Sequence, residues 1–188
     1  MKPEQEAVGM VASLMALAAR TAPKGKGVDE VEIRIAQGSD LNVLADEMER
    51  LGKEKNIGFF IRDSGNVAAS DACVVIGIRG QVTAGVNCGG CGYADCAAMK
   101  EAFETEPVNG PFRGPNCVIR MADLGIAAGS AAKTAAIHNA DNRIMYSAGV
   151  AALSLGWCGD CTVAYGIPLK GSGKSIYFDR PARKEPGQ

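Results

Sequence analysis

Four cysteines stand at spacings that suit metal chemistry. Cys88-Gly89-Gly90-Cys91-Gly92-Tyr93-Ala94-Asp95-Cys96 reads C-x2-C-x4-C, and after twenty further residues Cys117 follows in Gly114-Pro115-Asn116-Cys117. A cubane [4Fe–4S] cluster needs four thiolates, one for each iron corner. Closely spaced loops supply three without secondary structure in the way, and a distant loop supplies the fourth. Gly89, Gly90 and Gly92 allow backbone angles that other residues avoid, so main-chain N–H groups are free to point at the cluster sulfides and tune it. Structural zinc also takes four cysteines. Its usual paired C-x2-C knuckles would here join Cys88/Cys91 to Cys158/Cys161 and leave Cys96 without a role. The three-cysteine run favours iron–sulfur over zinc, and both over cysteines that only fill a core.

Other residues invite weaker readings. Cys158-Gly159-Asp160-Cys161 is a second C-x2-C. It reads as a redox dithiol with lowered thiol pKa, as an alternative source of the fourth ligand, or as a tight packed turn. Cys73 sits in an apolar run and reads as core. Gly171-Ser172-Gly173-Lys174-Ser175 mimics the end of a P-loop, but the glycine required five residues before Gly173 is Pro168, so triphosphate binding is rejected. Lys24-Gly25-Lys26-Gly27 reads as a glycine C-cap with lysines at the negative end of a helix, in preference to a phosphate site. His138 reads as a capping or core residue, and Trp157 as packing on a sheet edge. No acid, base or nucleophile is identified as catalytic.

The elements that must position these residues follow from periodicity. Residues 4–20 carry Val8, Val11, Leu14, Met15 and Ala18 at helical spacing. Val31 to Ile35 alternates as a strand. Ser39 or Asp40 caps a helix bearing Leu41, Leu44, Met48 and Leu51. Ile57 to Ile61 reads as a short strand, followed by a polar turn over Arg62 to Asn66. Cys73 to Ile78 is a continuous apolar run, expected as a central strand buried on both faces. Gly80 to Cys117 holds seven glycines, three prolines and four cysteines, and reads as a cysteine-rich insert with a short helix after Cys96. Helices are expected over 120–138 and 141–156, the second capped by Asp141. Strands are expected over Cys161 to Ile167 and Ser175 to Phe178, and a frayed tail over Pro181 to Gln188. Strands alternating with helices indicate an α/β (α+β) fold, a central sheet flanked by helices, as a single domain over 1–188 carrying the insert 80–117.

The chain has 188 residues, 47% of them hydrophobic and 22% charged, with 20 Lys+Arg against 21 Asp+Glu. A net charge of −1 excludes the basic footprint of a dedicated nucleic-acid binder. The apolar fraction excludes disorder across the chain. No apolar run reaches a membrane span, and Val8 to Ala19 lacks the basic leader of a signal peptide, since Glu4 and Glu6 flank it. Seven cysteines with one histidine fit a cytoplasmic protein whose reduced thiols serve metal or redox work.

The four-cysteine pattern resembles the iron–sulfur module of corrinoid and carbon-monoxide-metabolising proteins and of electron-transport subunits. The stretch Leu124 to Arg180, with Gly166-Ile167-Pro168-Leu169 and Gly171 to Arg180, resembles a family of uncharacterised ferredoxin domain-containing proteins of anaerobic bacteria and archaea, and the likeness extends over nearly the whole chain. The resemblance implies one [4Fe–4S] cluster on Cys88, Cys91, Cys96 and Cys117, with electron transfer or redox sensing beside an unidentified redox partner. A second resemblance concerns the scaffold. Ala18-Ala19-Arg20-Thr21-Ala22-Pro23 before a strand, and an Ala-rich helix ending Leu153-Ser154-Leu155-Gly156-Trp157, are similar to flavin-dependent nitroreductases. That implies a nitroreductase-like fold, a homodimer, and FMN as a possible cofactor of an oxidoreductase. The Arg-rich phosphate-binding motif of those enzymes is missing here, where Arg20 stands alone.

Overall fold

The computed structural model describes residues 2–178. Helix α1 spans Pro3–Thr21, with Pro3 at its first turn and Glu4 and Glu6 at its positive end. Its buried face carries Val8, Val11, Ala12, Met15 and Ala19, while Leu14 lies on the exposed side. Lys24 closes its other end, donating through Nζ to the carbonyls of Ala19, Arg20 and Ala22 at 2.6–2.8 Å. The C-cap residue is Ala22 rather than a glycine, so of the expected cap only the lysine part is present, made by Lys24.

Strand β1 (Val31–Ala36) leads to α2 (Ser39–Glu54), whose cap position is taken by Gly38, with Ser39 and Asp40 inside the helix. The expected strand at Ile57 to Ile61 and the turn after it form instead one helix, α3 (Gly58–Ala68). Its buried residues Phe60, Asp63, Ser64 and Val67 follow a spacing of three, four and seven, which is helical. Two are polar, so the apolar pattern was masked. Asp63 is satisfied by the Ser147 hydroxyl at 2.7 Å, and the Ser64 hydroxyl donates to the Ile61 carbonyl.

Strand β2 (Ala72–Ile78) is buried along its whole length. The chain then runs through α4 (Cys96–Thr105), a small hairpin of β3 (Val108–Asn109) and β4 (Arg113–Gly114), and the long helix α5 (Val118–Ile137). His138 is the exposed C-cap residue of α5. Asp141 does not cap a helix; it pairs with Lys170 in the short edge strand β5 (Asp141–Asn142). Helix α6 (Tyr146–Ser154) and strand β6 (Val163–Lys170) complete the regular elements. Ser175 to Phe178 is irregular rather than a strand, held by buried Tyr177, whose hydroxyl meets Ser70 Oγ at 2.8 Å. The tail expectation at Pro181 to Gln188 lies outside the described residues.

The four-stranded sheet has the order β1-β2-β6-β5, with every pair antiparallel. Alternation along β2 divides the core. Ala72, Val74, Ile76 and Ile78 pack beneath α1 and α5, whereas Cys73 and Val75 pack beneath α2, α3 and α6. Helix α6 lies so close to β6 that a Cβ at Gly149 would overlap the Ala164 carbonyl. Trp157 packs against edge strand β1, under the Arg34 guanidinium at 4.2 Å. No helix among the described residues is long and apolar enough to cross a membrane.

Candidate metal centre

The cysteine loop leaves the sheet at the end of β2 and is pinned there. The Gly80 N–H donates to Thr162 Oγ1 at 3.1 Å, and the Gly80 carbonyl accepts from the Cys117 N–H at 2.8 Å. The Thr162 hydroxyl donates to Asn116 Oδ1 at 2.5 Å, and Asn116 Nδ2 donates to the Arg113 carbonyl at 2.8 Å. Both chain segments that carry cysteines are thus tied to the starts or ends of central strands. A third tie comes from α5. Arg120, 1% exposed, pairs with Asp123 at 2.8 Å and donates to the carbonyls of Val82 and Val28. Asp123 in turn accepts the Gly25 N–H at 2.8 Å.

Cys117 is the cap residue of α5 and is buried. It shares a small apolar cluster with Ala84 and with Met99 of α4, and Cys91, Tyr93 and Ile119 pack against that cluster. Cys88 is exposed on the same loop. A Cβ at Gly90 would stand 3.6 Å from the Cys88 sulfur and 2.7 Å from Val118 Cγ1, so the start of α5 leans over the loop at this point. Gly89 (φ 68°) and Gly92 (φ 87°) take the left-handed conformation and close the turn, with the Gly92 N–H donating to the Gly89 carbonyl at 2.9 Å.

Cys96 opens α4. Asp95 caps the helix by accepting the Ala98 N–H at 2.8 Å, and the Cys96 N–H donates to Asn87 Oδ1 at 3.0 Å. The Cys96 thiol is held below its ordinary range, mainly by the Asn87 backbone N–H aimed at its sulfur. The N–H groups of Gly85 and Val86 and the Thr83 hydroxyl add to this, against a smaller opposing effect of burial. Hydrogen bonds to the charged form favour the thiolate, the form that ligates metal.

Four thiol donors are chemically fit for an iron–sulfur cluster and for zinc alike. Among the described residues, no group of three His, Cys, Asp or Glu is positioned to hold a metal ion. The zinc pairing of Cys88/Cys91 with Cys158/Cys161 is not assembled. Cys158 and Cys161 lie in the core beneath α2 and α6, where a Cβ at Gly77 would be 3.0–3.1 Å from both side chains. Burial pushes the Cys158 thiol up to about 11 and the Cys161 thiol up to about 12. Of the readings open for this pair, burial and raised thiols favour the packed turn over the low-pKa dithiol. Burial likewise pushes Cys73 up to about 12, in keeping with a core role.

The residues that hold the loop were absent from the sequence reading. Asn116, Thr162 and the Arg120–Asp123 pair carry no motif. The one available signal was an Arg and an Asp three residues apart inside an Ala- and Gly-rich helix.

Comparison with solved structures places the scaffold. A nitroreductase with bound FMN from Desulfitobacterium hafniense superposes with a TM-score of 0.56, covering 88% of this chain and 79% of that one at 14% identity. A nitroreductase-like family protein from Bacillus cereus gives 0.53 over 94% and 80% at 10% identity. A BluB-like flavoprotein from Clostridium difficile gives 0.52 over 94% and 85% at 14% identity. The fold is that of the nitroreductases. Residues 113–180 match the family described as uncharacterized protein containing a ferredoxin domain (DUF2148). An uncharacterized protein from Archaeoglobus fulgidus is 45% identical over 183 residues, 96% of each chain. This chain belongs to that ferredoxin-domain family, which carries a general expectation of iron–sulfur chemistry.

Proposed function

We propose that the chain binds one [4Fe–4S] cluster through Cys88, Cys91, Cys96 and Cys117 and exchanges single electrons with a redox partner protein, either as a carrier or as a redox sensor. The observation that carries the reading is the gathering of the C-x2-C-x4-C loop and the start of α5 around one small core of Ala84, Met99 and Cys117, against which Cys91 packs. Such a cluster supplies one-electron chemistry when bound. The chain's own part is to fix the ligands and aim amides at them, as the N–H groups of Gly85, Val86 and Asn87 do at Cys96. The reducing cytoplasm keeps such thiolates available. Residues 80–117 act as the cluster-bearing insert of a single domain.

A second reading is an FMN-linked oxidoreductase in which the cluster feeds the flavin. Its support is the fold shared with an FMN-bound nitroreductase. Anaerobic purification with iron, sulfide, zinc and flavin assays, and an electron paramagnetic resonance spectrum after dithionite, separates these. The first reading expects about four irons and four sulfides per chain, no flavin, and a reduced-cluster signal. Cys117→Ser should lose most of the iron while Cys158→Ser keeps it. Zinc without sulfide would remove electron transfer altogether.

A further inference from the structure

The second C-x2-C, Cys158-Gly159-Asp160-Cys161, has no part in the cluster reading. Its four residues form one tight turn, closed by the Cys161 N–H donating to the Cys158 carbonyl at 3.1 Å. Gly159 bends the chain there with φ 53°, in the left-handed region. A β-turn holds its first and fourth Cα atoms within about 7 Å, and a disulfide spans about 4.4–6.8 Å between Cα atoms. The two side chains also meet at one place. Both lie over Gly77 of β2, where an added Cβ would stand 3.0 Å from Cys158 Cβ and 3.1 Å from both Cβ and Sγ of Cys161. Gly77, having no side chain, leaves that place open to the two thiols. A charge on Cys158 pushes the Cys161 thiol up further, which also sets the two sulfurs near each other. Both are free thiols.

Access to the pair is one-sided. Cys161, 9% exposed, lines two clefts beside Arg113, one of about 300 Å³ and one of about 400 Å³. Cys158, 2% exposed, lines neither.

We propose that Cys158 and Cys161 are a two-electron dithiol–disulfide couple, oxidised by small organic disulfides that reach Cys161 beside Arg113. The Cys161 sulfur, as thiolate, attacks one sulfur of the reagent and releases its other half as a thiol. The Cys158 sulfur then attacks the reagent sulfur's partner, Cys161, closing the S–S bond within the turn and releasing the second half. The cysteines give up two protons and two electrons, and the reagent leaves as two thiols. Burial keeps both cysteines protonated for most of the time, so exchange is slow in each direction. A couple that changes state slowly suits a lasting record of oxidation better than rapid turnover. The inference does not rest on the cluster, and its readout is independent of iron.

For the test, the full, anaerobically purified chain is held overnight with excess 2-hydroxyethyl disulfide, quenched in acid, unfolded and alkylated. Trypsin cuts after Arg143 and Lys170, so Cys158 and Cys161 are recovered in one segment, 144–170, with no other cysteine. Cys73, buried in the same core, is recovered apart from them in 63–79. Mass spectrometry should find 144–170 unlabelled and short of two hydrogens, and 63–79 fully labelled. Cys158→Ala should stop with one mercaptoethanol held on Cys161, whereas Cys161→Ala should leave Cys158 free to take label. The native chain gives the main result, which stands even where a variant fails to fold. The proposal is overturned if 144–170 still takes two labels, or if it carries mercaptoethanol on both cysteines with no internal bond. Loss of label at Cys73 at the same rate would mean entry through unfolding and would overturn it too, as would equal reaction of the two single variants.

Discussion

Among the described residues, Arg120 is the largest fully buried side chain, and it sits three residues after Cys117. A buried guanidinium is tolerated only when its charge and N–H groups are all met. Here Asp123 supplies the charge, and the carbonyls of Val82, Gly25 and Val28 supply acceptors. One side chain therefore joins α5, the segment after α1 and the beginning of the cysteine loop. Arg120→Met should lower stability by about 3–5 kcal/mol, because Asp123 stays behind as a buried charge. Chemical denaturation of the native and substituted chains measures this. The double variant Arg120→Met with Asp123→Leu should recover part of the loss, since it removes both charges together. Equal losses in single and double variants would point to packing rather than charge. None of this was legible in the sequence, where the cysteines announce themselves by spacing and the arginine that steadies their loop is an ordinary residue in a helix.

Helix α3 shows how an element can be misread where β2 is read directly. Cys73 to Ile78 displays its burial openly, because both faces of β2 are covered and every residue is apolar or glycine. In α3 the buried positions include Asp63 and Ser64, whose polarity is satisfied by Ser147 and a local carbonyl. A pattern of apolar residues cannot reveal a face that buries paired polar ones. The glycines of the helices separate in the same way. Gly149 faces the Ala164 carbonyl at close quarters, whereas Gly65 in α3 meets nothing. Gly149→Ala should therefore destabilise by about 1–3 kcal/mol or more, since backbone cannot step aside. Gly65→Ala should stabilise by up to about 1 kcal/mol through helix propensity. Thermal unfolding of the two variants should shift in opposite directions, and a shared direction would mean that α6 and β6 are looser than the contact implies.

At the scale of the whole molecule, the missed helix also hid the direction of the sheet. One helix between neighbouring strands returns the chain parallel to its start, but α2 and α3 together reverse it once more, and β2 runs antiparallel to β1. The layered arrangement of helices about a central sheet was legible; the strand direction was not. The same layers leave one face without cover. Met10 (65% exposed) and Leu17 on α1, with Ile126 and Ile137 (65% exposed) on α5, stand outward from the two helices that cap the same side of the sheet. On α5, Gly125 and Gly129 meet nothing, so a neighbouring backbone can approach closely. Exposed apolar side chains, where they adjoin, mark association surfaces. A two-fold axis over α5 would set the face against itself, burying Ile126 in both copies at once. Sedimentation equilibrium should then give twice the chain mass of 19.5 kDa. Ile126→Glu should give the single-chain mass with the fold retained, because a central pair of like charges would have to be buried without partners. A native chain that sediments as a monomer at about 10 μM would overturn this pairing.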